Sequence, residues 1–170
     1  DHQLVIGGGP GWLYEDIYDT IHALELESEV RLIGFVDDAD LPALYRAATV
    51  FAFPSLYEGF GIPVLEAMGC GAPVIASATS SLPEVAGDAA LLVDPFDIEA
   101  LAEALGRLVN DAALRDELRH RGFQRAERFP DRRAADGKPL SQLALWRQFV
   151  ARLQLSGGNQ ADKLADNRLV

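Results

Sequence analysis

Val50-Phe51-Ala52-Phe53-Pro54-Ser55-Leu56-Tyr57-Glu58-Gly59-Phe60-Gly61-Ile62-Pro63-Val64-Leu65-Glu66-Ala67-Met68-Gly69 is the stretch on which the fold turns. Its first four residues are an apolar run ended by a proline, which reads as a short strand. Gly59-Phe60-Gly61 then supplies a glycine-rich turn. A helix can start at Pro63, because proline is tolerated in a first turn, and Gly69 and Gly71 bracket its end. Strand, glycine turn and helix in that order make one βα unit.

The same alternation extends in both directions. Upstream, Leu4-Val5-Ile6 runs into Gly7-Gly8-Gly9-Pro10-Gly11, a helix-like segment covers about 13–26, and Val30 to Val36 is a further strand. Asp40 then caps a helix through Ala48, with Pro42 in its first turn. Downstream, Val74-Ile75-Ala76 and Ala90-Leu91-Leu92-Val93 are strands. Between them, Ser81 with Glu84 three residues on forms a capping box. Asp97 caps an amphipathic helix with Leu101, Ala104, Leu105 and Leu108 at helical spacing, and Asp111 caps another running to about Phe129. This pattern predicts an α/β fold: a Rossmann-like, doubly wound parallel sheet with helices on both faces. The composition changes after residue 129. Residues 130–139, with Pro130, Gly137 and Pro139, read as a loop, 140–155 as a C-terminal amphipathic helix carrying Trp146, Phe149 and Leu153, and 156–170 as a flexible tail.

The chain has 170 residues with 15 Lys+Arg against 26 Asp+Glu, a formal charge of −11. Such an acidic balance argues against nucleic acid or an anionic membrane as the main partner, since phosphate backbones are held through basic side chains. Cys70 is the single cysteine, so no intrachain disulfide forms. With no signal-like opening and no long apolar run, the expected location is cytoplasmic. His2, His22 and His120 are scattered and match no zinc spacing, so no metal is expected. The glycines at 7–11 fail the dinucleotide fingerprint, whose third glycine would fall on Trp12 or Tyr14. Ser55, Ser77, Ser80 and Ser81 lack a Gly-x-Ser-x-Gly context and read as turn and cap residues.

Chemistry concentrates in the turn after the third strand. Ligands of open α/β sheets bind beside the carboxyl ends of the strands, where this turn falls. Glycines admit close backbone approach, and a helix amino terminus offers unpaired N–H groups to a phosphate. Glu58 stands just before the helix and Glu66 about one turn inside it. Both carboxylates can accept hydrogen bonds from the paired hydroxyls of a ribose or hexose. The ligand that fits is sugar, phosphate and sugar in a row.

Glu58 and Glu66, with seven residues between them, enclose Gly59-Phe60-Gly61-Ile62-Pro63 and are followed by Ala67-Met68-Gly69-Cys70-Gly71-Ala72-Pro73-Val74-Ile75-Ala76-Ser77. Together with Arg31-Leu32-Ile33-Gly34-Phe35-Val36, Leu41-Pro42-Ala43-Leu44-Tyr45, Leu82-Pro83-Glu84-Val85 and Ala90 to Pro95, this resembles the carboxyl-terminal, donor-binding domain of retaining glycosyltransferase family 4, the C-terminal half of a GT-B fold. The resemblance covers about residues 3–129. It implies a nucleoside diphosphate sugar as donor substrate, retention of anomeric configuration, transfer of a hexose and no metal. It assigns Glu58 to the transferred sugar as the catalytic residue and Glu66 to the ribose hydroxyls. The backbone of Phe60, Gly61 and Ile62 falls to the sugar and distal phosphate, and the backbone near Val36 to the base.

The family domain opens with one further strand, loop and helix that have no counterpart here. With them go an Arg and a Lys directed at the diphosphate, and the acceptor domain lies outside the matched region. The expectation is therefore a truncated unit, inactive as the isolated chain, that acts with an N-terminal acceptor domain or a partner chain. The missing strand is a central one, so Leu4 to Ile6 and Val50 to Phe53 are expected to have open edges. These would be closed by rearrangement, by a partner chain, or in a homo-oligomer or strand-exchanged dimer. The alternative function is a non-catalytic nucleotide-sugar-binding or assembly module with the same fold.

Overall fold

The computed structural model describes residues 2–9 and 15–129, and the backbone of 150–155. Twelve elements follow one another: β1 (His2–Gly7), α1 (Glu15–Ala23), β2 (Val30–Gly34), α2 (Leu41–Ala47), β3 (Val50–Phe53), α3 (Ile62–Gly69), β4 (Val74–Ser77), α4 (Leu82–Ala86), β5 (Ala90–Val93), α5 (Ile98–Asn110), α6 (Ala112–Glu127) and β6 (Val150–Leu155). They build one sheet of order β2-β1-β6-β3-β4-β5. The β1–β2, β3–β4 and β4–β5 pairs are parallel, as the βα alternation requires.

Burial follows strand alternation. On β3, Phe51 and Phe53 turn to one face and join Tyr45, Val64, Met68, Val74 and Leu82 beneath α2, α3 and α4. Val50 and Ala52 turn to the other face and join Ile75, Ala104, Leu108 and Leu118 beneath α5 and α6. Both faces are thus covered, which is why β3 is apolar throughout and β4 is apolar up to the buried Ser77. Asp97 and Asp111 cap α5 and α6 as the sequence predicts, accepting from the amides of Ala100 and Leu114. Asp40 and Ser81 do not: each stands at the N-cap position with a helical backbone and no side-chain cap bond.

Helix α6 ties the layer together with arginines. Arg115 donates to the carbonyls of Leu108 and Val109 at the end of α5, and Arg119 to that of Gly71 just past α3. Arg125 donates to the carbonyls of Glu84 and Val85 in α4. Helix carboxyl termini carry unpaired carbonyls, so each guanidinium meets groups that need a donor. Arg125→Ala strands two of them. It is expected to lower stability by about 1–3 kcal/mol in urea unfolding.

The gap expected between β1 and β3 is closed by rearrangement within the chain: β6 lies between them, antiparallel to both. The expectation for the carboxyl end is corrected. Val150–Leu155 is therefore strand, where a helix over 140–155 was expected, and the sheet is mixed rather than wholly parallel. The physical reason is the demand of two neighbouring strands for backbone partners, which outweighs helical periodicity in a six-residue segment. The expected loop at 130–139, the remainder of the helix at 140–149 and the tail at 156–170 lie outside the described residues. No helix among the described residues is long and apolar enough to cross a membrane.

Candidate functional site

A cleft opens at the carboxyl ends of β1 and β2. The amide of Gly8 donates to the carbonyl of Gly34 at 2.7 Å, which ties the two strand ends together. Val36 follows at once, close enough to Gly7 that a Cβ there would meet its side chain at 3.2 Å. The cleft, about 550 Å³ with its open mouth included, is lined by Val5, Phe35, Val36, Tyr45, Pro63 and Glu66 among others. Its walls are largely apolar, and the acidic side chain among them is Glu66, contributed by α3. The Tyr45 hydroxyl lies 3.4 Å from Glu66 Oε2. Tyr45 is itself buried, edge-on against Phe51 at 5.1 Å, so it steadies Glu66 from the core side.

The turn before α3 forms the next part of the site. Gly61 takes the N-cap position at φ 92° and ψ 40°, left-handed backbone that favours glycine. Pro63 has no N–H, and the amide of Val64 returns to the carbonyl of Gly61. Among the described residues, no hydrogen bond engages the amides of Phe60, Gly61 or Ile62. Three donors at a helix amino terminus make an anion-binding arrangement. The Phe60 ring is anchored elsewhere, edge-on to Phe129 at 5.9 Å, and the Arg125 guanidinium lies 5.1 Å from the Phe129 ring centre.

Glu58 is held on every side by hydroxyls. Ser55 Oγ donates to Glu58 Oε1 at 2.9 Å. The Glu58 amide donates to Ser80 Oγ at 3.2 Å, while Ser80 Oγ and Ser81 Oγ donate to the Glu58 carbonyl at 2.5 and 2.9 Å. Burial pushes the Glu58 carboxyl above the usual carboxylate range, and the Ser55 hydrogen bond opposes that rise. A carboxyl so raised binds its proton more tightly folded than unfolded. Its contribution to stability is therefore present at low pH and is lost as pH climbs through the interval up to the raised value. Glu58→Gln removes the buried charge. At neutral pH the variant is expected to be at least as stable as the parent in urea unfolding, with a flatter dependence on pH across that interval.

Of the residues singled out in the sequence, Val36 and Glu66 meet in the cleft. Phe60, Gly61 and Ile62 sit together at the α3 amino terminus, immediately before the lining residue Pro63. Glu58 does not line the cleft. It stands at the start of the turn, its carboxyl engaged by Ser55. The sequence reading missed Ser55, Ser80 and Ser81 as partners of Glu58. The one available signal was a hydroxyl-rich run, Thr79-Ser80-Ser81, in which Ser81 reads more readily as a helix cap. No group of three or more metal-ligating side chains comes together among the described residues.

The family model described as glycosyl transferases group 1 matches residues 1–125. The chain belongs to that family. Proteins similar to it include O-antigen chain mannosyltransferase B of Escherichia coli, 41% identical over 128 residues, which are 75% of this chain and 34% of that protein. D-inositol 3-phosphate glycosyltransferase of Salinispora tropica is 40% identical over 134 residues, 75% of this chain and 28% of that protein. The chain thus spans about a third or less of the length of these relatives. Among solved structures, sucrose-phosphate synthase of Thermosynechococcus elongatus matches with a TM-score of 0.70 and 32% identity, over 82% of this chain and 37% of that one. The Anabaena protein HepE, solved with UDP and glucose, matches with a TM-score of 0.67 and 26% identity, over 73% of this chain and 35% of that one. These neighbours are GT-B glycosyltransferases, in agreement with an α/β, Rossmann-like fold.

Proposed function

We propose that this chain binds a nucleoside diphosphate hexose and is the donor-binding half of a retaining glycosyltransferase. The observation that carries the reading is the juxtaposition of Glu66 in an apolar cleft with the amides of Phe60 to Ile62 at the α3 amino terminus, which no hydrogen bond among the described residues engages. A flat base fits between the β1 and β2 ends beside Val36, ribose hydroxyls donate to Glu66, and the diphosphate meets the amides. HepE, solved with UDP-glucose, and the mannosyltransferases among the relatives support a nucleotide donor and a hexose.

In the transfer step the bond between the sugar's anomeric carbon and the diphosphate oxygen breaks, and an acceptor hydroxyl oxygen bonds to that carbon on the same face, its proton passing to the departing diphosphate oxygen. Negative charge grows on the departing diphosphate, where fixed backbone dipoles stabilise it without reorganising. Glu58, at the other end of the turn, lies toward the transferred sugar and steadies positive charge developing there. No metal takes part in this scheme. The acceptor is held outside this chain, so the chain assayed alone transfers little or no sugar.

Calorimetric titration with nucleoside diphosphate hexoses, the nucleoside diphosphates and the free hexoses tests the reading. Saturable binding of the first two, with the free hexose silent, is expected. Silence toward every nucleotide overturns it in favour of an assembly module.

A further inference from the structure

Ser80 has left-handed backbone, φ 58°, although it is not glycine. Such a conformation is strained for a residue with a Cβ and persists where its surroundings impose it. Its hydroxyl is used twice, accepting from the Glu58 amide and donating to the Glu58 carbonyl. Thr79 before it donates to the Leu56 carbonyl at 3.3 Å, and Ser81 after it donates to the Glu58 carbonyl again. Three consecutive hydroxyls of the β4–α4 loop thereby grip both ends of Leu56-Tyr57-Glu58, a segment whose Leu56 and Tyr57 side chains are exposed. Packing does not hold this segment; the hydroxyls do.

We propose that Ser80 is a positioning residue for Glu58: its strained backbone presents one hydroxyl to both polar backbone groups of Glu58 and so fixes the place of the Glu58 carboxylate before α3. The proposal rests on the donor-site reading for the purpose of that carboxylate, but its geometry stands independently. With the Glu58 backbone fixed, its carboxyl reaches Ser55 and stays half-buried. Released, the side chain turns to water, and the burial that raises its titration point is lost together with the smaller, opposing Ser55 bond.

Ser80→Gly and Ser80→Ala separate the hydroxyl from the backbone strain, since glycine accepts left-handed backbone freely and alanine does not. The experiment is carbon-detected NMR titration of the Glu58 carboxyl, together with hydrogen exchange at its amide, on the folded chain. In both variants the Glu58 midpoint is expected to fall toward that of an ordinary glutamate, and its amide to exchange about tenfold faster, the factor of one lost hydrogen bond. A Ser80→Gly protein with the parental Glu58 midpoint overturns the proposal, even if its melting temperature falls, because Ser80 would then act on stability alone. Nucleotide binding is measured separately on the parent, so failure of the donor-site reading is distinguishable from failure of the Ser80 assignment.

Discussion

Gly61→Ala is expected to destabilise the protein by about 2–5 kcal/mol, from two sources. Left-handed backbone at φ 92° costs a residue with a Cβ about 1–2 kcal/mol. The added carbon would stand 2.5 Å from Leu82 Cδ2, so the buried Leu82 side chain has to shift. Overpacking of that kind costs about 1–3 kcal/mol. Against the roughly 5–15 kcal/mol that folds an ordinary domain, the sum is a large fraction. Gly59→Ala, two residues earlier, is the control: a Cβ there meets nothing within 4 Å, and its cost should stay below about 1 kcal/mol. Equal midpoints for the two variants in urea unfolding would show that Gly61 is not held between α3 and α4 as described.

Glu66→Ala carries the second large effect, on binding rather than folding. Hydrogen bonds to a charged acceptor contribute about 1.5–3 kcal/mol, so a carboxylate that bonds a ribose through its hydroxyls should lose roughly 10- to 100-fold in affinity when removed. Only half-buried and at the wall of a cleft, Glu66 leaves a modest folding cost behind. Tyr45→Phe should weaken binding far less, since it removes a long 3.4 Å contact to the same carboxylate and leaves the acceptor in place. Calorimetry that finds Glu66→Ala and the parent equal would detach Glu66 from the ligand.

Much of this arrangement is legible in the sequence because it rests on local rules. Val50–Phe53 and Ala90–Val93 are strands at the residues expected, since short apolar runs bounded by turn residues have few alternatives. Asp97 and Asp111 behave as caps because their chemistry needs only the following turn. Ser81 defeats the same rule: its hydroxyl bonds the Glu58 carbonyl, 23 residues away, and no local signal announces a partner on another loop. Val150–Leu155 defeats periodicity for a similar reason. Its strand state comes from the backbone needs of β1 and β3, both far away in sequence. Val36 and Glu66 line one cleft at the strand ends, where the sequence pattern directs a ligand, but the hydroxyl cradle around Glu58 is a tertiary fact.

In the proposed function one ligand spans the Val36 and Glu66 cleft and the amides at the α3 amino terminus. Backbone amide NMR of the chain, titrated with a nucleoside diphosphate hexose, decides whether it does. The amides of Phe60, Gly61 and Ile62 are expected to shift in step with that of Val36, on one binding curve. Shifts confined to other surfaces, or to the cleft with the three turn amides unmoved, would contradict it.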